Sequence, residues 1–195
     1  MNKNVAIIFI PGLGDANPKW QARAVKLWHI YGYKSQLIAM NWNDKLPWSE
    51  KQKKLLDKID ELSNQNYKIV LVGASAGSTA VINAYAIRKS NILGVITIAA
   101  KINRPETLGD RYYTENPSFI QSISKAQQSL SELTSNDKNI ILCIYSLRDG
   151  LVSMQDSIIE GANTYKTWVP YHPLVIGYYL TFGFGRIHRF IKSRS

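Results

Sequence analysis

Short apolar runs rich in Val and Ile alternate along this chain with stretches whose apolar residues recur at helical spacing. A mostly parallel sheet covered by helices on both faces imposes that alternation, because its strands are buried from two sides and its helices from one. The runs predict six strands: Val5 to Ile10, Ser35 to Met40, Lys68 to Gly73, Leu93 to Ala99, Asn139 to Tyr145 and Tyr165 to Val169, each read as buried on both faces. Between the first two, Asn17 and Pro18 supply an N-cap and a first-turn proline. Trp20, Ala24, Leu27, Trp28 and Tyr31 form an apolar face there, and Gly32 closes the helix. Ser49 and Gln52 have capping-box spacing ahead of Leu55, Leu56, Ile59 and Leu62, and the lysines of that helix read as facing water. A third helix follows Ser75, and a fourth runs from Asn116-Pro117 through Ile120, Ile123, Leu130 and Leu133. No boundary interrupts the pattern, so residues 1–195 read as a single domain, with room for a lid only at about Asn103 to Glu115.

Composition narrows the function classes. With 45% hydrophobic and 19% charged residues, the chain has the balance of an ordinary globular protein. A net charge of +10 raises the question of an anionic partner, but the lysines and arginines are dispersed outside the tail and no nucleic-acid motif surrounds them. The lone Cys143 reads as a small hydrophobe in a strand. Val5 to Ile10 is too short for a signal peptide, which leads to the expectation of a cytoplasmic protein.

The chemistry gathers around Gly73-Ala74-Ser75-Ala76-Gly77, which follows a buried strand and opens a helix. In such a strand–turn–helix elbow the serine is held in a strained conformation, and the positions two before and two after it tolerate little beyond glycine. Serine needs a base, and the base needs an orienting acid. Of the three histidines, His172 lies in the loop after the sixth strand, with Pro173 beside it, and is the candidate base; His29 and His188 read as surface residues. Asp149, just after the fifth strand, is the candidate acid, in the chain order Ser, Asp, His; Asp156 is the alternative, and Asp149 could instead be a plain Asp-Gly turn residue. The backbone N–H of Ala76 and that of Leu13, in the loop Pro11-Gly12-Leu13-Gly14-Asp15, are candidates to hold an oxyanion, although the loop also reads as an ordinary strand-to-helix turn. No cofactor is indicated, since Asn17 stands where a dinucleotide fingerprint needs a third glycine and Gly77-Ser78-Thr79 lacks the P-loop lysine. No metal is indicated either, because the histidines are scattered.

On these segments (Ile8 to Gly14, the elbow around Ser75, and Ser146-Leu147-Arg148-Asp149 with Val152, Ser157, Gly161-Ala162 and His172) the sequence resembles the small lidless bacterial lipases and esterases of the α/β-hydrolase superfamily over nearly its whole length. The resemblance implies a minimal α/β-hydrolase fold of about six mostly parallel strands without a large cap, the Ser75–His172–Asp149 triad, and hydrolysis of small-molecule or lipid esters. Thioesters and amides are alternative substrates, and a non-catalytic binding module is an alternative role. Pro11 and Ala74 depart from the usual lipase residues, which shape the loop and the acyl pocket. The apolar segment Pro173 to Gly185, followed by Arg186, Arg189, Lys192 and Arg194, reads either as a final buried helix with a solvated tail or as a peripheral membrane contact that brings the site near lipid.

Overall fold

The computed structural model describes residues 4–194. Six strands form one sheet: β1 (Val5–Ile10), β2 (Lys34–Leu37), β3 (Lys68–Ala74), β4 (Ile92–Ile98), β5 (Ile141–Ser146) and β6 (Asn163–Thr167). All neighbours pair parallel, in the order β2-β1-β3-β4-β5-β6. The helices are α1 (Lys19–Lys26), α2 (Trp48–Asn64), α3 (Gly77–Ile87), α4 (Arg111–Glu115), α5 (Pro117–Glu132), α6 (Ser135–Asn139), α7 (Met154–Ser157), α8 (His172–Leu180) and α9 (Phe184–Lys192).

The period-two geometry of a strand explains why β1 carries no polar residue. Ala6, Ile8 and Ile10 point into a core shared with α2, α3 and α5, while Val5, Ile7 and Phe9 point into a second core shared with α1, α8 and α9. β3 divides likewise, with Ile69 and Leu71 on one side and Val70 and Val72 on the other. β2 and β6 stand at the sheet edges and are half exposed, so the expectation of burial on both faces fails for these two. Their residues Lys34 and Lys166 fit an edge, where charge discourages pairing with another chain.

Several helix details differ from expectation. α1 has Pro18 at its N-cap with no side-chain cap bond, and its backbone tightens into a 3₁₀ turn over Leu27–Tyr31. The buried residues here are Ala24, Val25 and Trp28, whereas Trp20 and Leu27 of the expected apolar face are exposed. α2 has no capping box, because it starts one residue before Ser49, at Trp48, whose N–H donates to Gln121 Oε1 of α5. Lys51 does not face water: it is buried. The final apolar segment is two helices, α8 and α9, rather than one.

β1 connects to β2 on one side of itself, and the chain then returns to pair β3 on the other. Such a reversal opens a crevice outside the carboxyl ends of β1 and β3, the usual ligand position in an open parallel sheet. The loop after β1 and the turn after β3 meet there.

Candidate active site

At the turn after β3, Ser75 adopts φ 50°, a left-handed conformation that costs a non-glycine residue on the order of 1–3 kcal/mol. Its N–H donates to Ile98 O of β4 at 2.9 Å, and its carbonyl accepts from Ser78 N. The flanking glycines are dictated by contact. A Cβ on Gly73 would lie 2.7 Å from Ser78 Cα, and one on Gly77 would lie 2.6 Å from Pro11 O. Gly12 crosses directly over the serine, where a Cβ would come 2.8 Å from that of Ser75. The β1 loop is therefore pressed against the elbow.

Among the described residues, neither the Leu13 N–H nor the Ala76 N–H donates a hydrogen bond within the protein. Both residues line the same cavity as Ser75. Unpartnered backbone donors are uncommon, and here they border the serine.

His172 opens α8, and its Nδ1 sits 2.9 Å from Asp149 Oδ2 and 3.0 Å from Oδ1. A carboxylate can accept from a ring N–H in this geometry, which would turn the other ring nitrogen, Nε2, away from Asp149. The loops carrying the two side chains are also stitched by backbone, His172 N to Asp149 O and Tyr171 N to Arg148 O, both 2.8 Å. Asp149 Oδ1 accepts from Val152 N at 2.7 Å and Leu151 N at 3.1 Å, so the turn role and the contact to His172 coexist. Ser75 and His172 line one cavity of about 750 Å³, with no hydrogen bond between the hydroxyl and the ring. Asp156, the alternative acid, is engaged elsewhere. His29 lies on the surface as expected, whereas His188 is half buried and bonds Tyr33 Oη at 2.8 Å.

Two polar networks around the cavity escaped sequence reasoning. Buried Asp15 accepts from Met40 N at 2.6 Å, Asn41 N at 2.8 Å and Trp42 N at 3.1 Å. Burial pushes its carboxyl above the usual carboxylate value, against the pull of those N–H groups and of Lys51. Lys51 Nζ donates to Met40 O, Asn41 O and Asp44, while Trp42 Nε1 donates to Pro11 O at 3.1 Å. The loop bearing Leu13 is thus tied down at both ends. The second network fixes the cavity's far wall. Lys101 Nζ reaches Asp156 Oδ1 at 2.7 Å and Thr107 Oγ1 at 2.6 Å, and Arg104 grips both Asp156 oxygens at 2.9–3.0 Å. Burial opposes ionisation of Asp156, yet Arg104, Lys101 and Ser153 together hold its carboxyl at about 2. The expected lid region holds a short 3₁₀ turn (Pro105–Thr107) and α4, and it contributes Thr107, Leu108, Arg111, Tyr112 and Glu115 to the wall.

Among the described residues there is no cluster of potential metal ligands. No protein-family model and no curated protein matches the sequence. Solved structures do match. The Est1E protein of Butyrivibrio proteoclasticus superposes with a TM-score of 0.72 over 100% of this chain and 89% of its own, at 13% identity. A monoacylglycerol lipase of Paleococcus ferrophilus gives 0.66 over 97% and 95%, at 15% identity. The chain has the α/β-hydrolase fold. Human thioesterase 2 shares this fold at a TM-score of 0.59, with 13% identity and 98% of both chains covered.

Proposed function

We propose that this α/β-hydrolase-fold chain, taken as one catalytic domain, is a serine hydrolase that cleaves carboxylic esters through an acyl-enzyme on Ser75. The observation that carries the reading is the Asp149–His172 pair opening into the same cavity as a strained Ser75. In this reaction His172 Nε2 takes the Ser75 hydroxyl proton while Oγ attacks the ester carbonyl. The Leu13 and Ala76 N–H groups receive the oxyanion, each worth on the order of 3 kcal/mol in the transition state. Asp149 stabilises the imidazolium, which then protonates the departing alcohol oxygen. Water, deprotonated by the same Nε2, attacks the acyl carbon, and the imidazolium returns that proton to Ser75 Oγ as the C–Oγ bond breaks and the acid leaves.

The names of the superposing proteins, a lipase and a thioesterase among them, accord with an acyl-transfer site. A fluorophosphonate probe should label the wild type and leave Ser75→Ala unlabelled. Folded wild-type protein that resists the probe and turns over none of a panel of nitrophenyl esters would overturn the reading. A preference for thioesters in a matched panel would move the leaving group from oxygen to sulfur and keep the residues in their roles.

A further inference from the structure

Two of the residues that line the cavity, Trp20 and Leu151, are large, apolar and exposed. Trp168, 74% exposed, and Leu151, 67% exposed, lie on the loops after β6 and β5, with Leu147, Tyr171 and Leu174 also exposed beside them. The two loops form one surface, since Tyr171 N bonds Arg148 O. Exposed Trp20 packs across the start of α1 against α8, its ring 3.9 Å from where a Gly177 Cβ would stand, and it lines the cavity together with Leu151. Other large apolar residues, Phe182 and Ile30 among them, are exposed elsewhere, but several of them grouped on joined loops beside a cavity mark an interaction surface.

Charge selects among partners. The loop from Leu147 to Ser153 holds one acid, Asp149, which is occupied by His172; the loop from Trp168 to Tyr171 holds none, and neither does α1. Exposed Arg148, Lys19 and Arg23, with Arg111 against Glu115 on the cavity wall, leave a net basic fringe beside these aromatic and aliphatic side chains. Tryptophan and tyrosine backed by basic side chains suit the boundary between headgroups and acyl chains. A protein seated on these side chains would also seal the cavity, whereas a lipid surface would supply molecules to it.

We propose that this rim docks onto an anionic lipid surface and that the ester substrate enters the cavity from that surface, an inference that rests on the ester-hydrolase reading for its second half. The contact shares Leu174 with the expected segment Pro173 to Gly185 but leaves out its basic tail. Arg194 bonds Asn139 O, just ahead of β5, and packs near Gly94 early in β4, so the tail lies at the amino ends of the strands, across the sheet from the cavity.

The test is flotation of the full chain with vesicles of phosphatidylcholine alone and with phosphatidylglycerol added. Binding is expected only with the anionic lipid, weakening as salt rises. The triple variant Leu147→Ser/Trp168→Ser/Leu174→Ser, none of which lines the cavity, should bind at least about tenfold more weakly. It should hydrolyse a soluble short-chain nitrophenyl ester as wild type does, and a vesicle-embedded ester about tenfold more slowly. Unchanged vesicle binding by that variant would overturn the inference. So would binding abolished by Lys192→Ser/Arg194→Ser instead, or a dimer dissolved by the triple change without vesicle binding. Vesicle binding by a rim-dependent protein that hydrolyses no ester would leave docking standing and remove the hydrolase reading.

Discussion

Gly73 and Gly77 let Ser75 stand where it does, because a methyl group on either would penetrate the backbone opposite. Gly77→Ala should cost on the order of 3 kcal/mol or more, since the obstructing atoms belong to β1 and its loop and cannot swing aside. Chemical denaturation would measure it. Asp149→Asn should retain the fold yet lower kcat by about ten-thousand-fold, because the amide favours the wrong imidazole tautomer for a base. Loss of activity in proportion to loss of folded protein would argue against that role. These residues were legible in the sequence because their chemistry is written in short spacings and chain order. Asp15 was not: its partners Met40, Asn41 and Trp42 are far along the chain, and nothing in Gly14-Asp15 distinguishes a buried carboxylate from a surface turn.

At the scale of elements, the loop after β1 is positioned from outside itself. Asp15 and Trp42 grip it, and Lys51 of α2 braces the strand exit that they grip. Asp15→Asn keeps the shape but turns one acceptor oxygen into an NH2 group facing a backbone N–H, so kcat should fall about tenfold with KM little changed if the Leu13 N–H drifts from the proposed oxyanion position. Active-site titration with the fluorophosphonate probe would separate this from a smaller folded fraction. The central strands were legible because runs such as Val5 to Ile10 are buried on two faces. β2 and β6 were misjudged because burial at a sheet edge depends on strand order, which local pattern does not contain. The buried contacts between α3 and α5, Asn83 Nδ2 to Ser122 O and Ser129 Oγ to Asn83 Oδ1, are equally invisible to periodicity.

Across the whole molecule, the Asp156 cluster joins the segment after β4 to α7 and should contribute to acid stability, beside Asp137, whose carboxyl Lys89 and Thr134 also hold at about 2. The folded pKa of Asp156, about 2, lies below the ordinary 3.8, so its stabilisation is complete above that value and lost as pH falls through 2. The shift corresponds to about 2 kcal/mol. Asp15 works in the opposite sense: its raised pKa penalises the folded state once ionised, and acid relieves that penalty. Asp156→Asn should therefore lower stability at neutral pH by about 2 kcal/mol and flatten the acid limb of a denaturation series. No helix among the described residues is long and apolar enough to cross a membrane.

The placement of α9 and Arg194 at the amino ends of the strands has a practical reach. A biotin or solid support attached through the tail would hold the molecule with its rim facing outward, free to meet vesicles flowing over an immobilised layer. The same attachment made on the loop at Trp168 would turn the opening toward the support. Comparing the two orientations would read the polarity of the molecule as a difference in captured lipid.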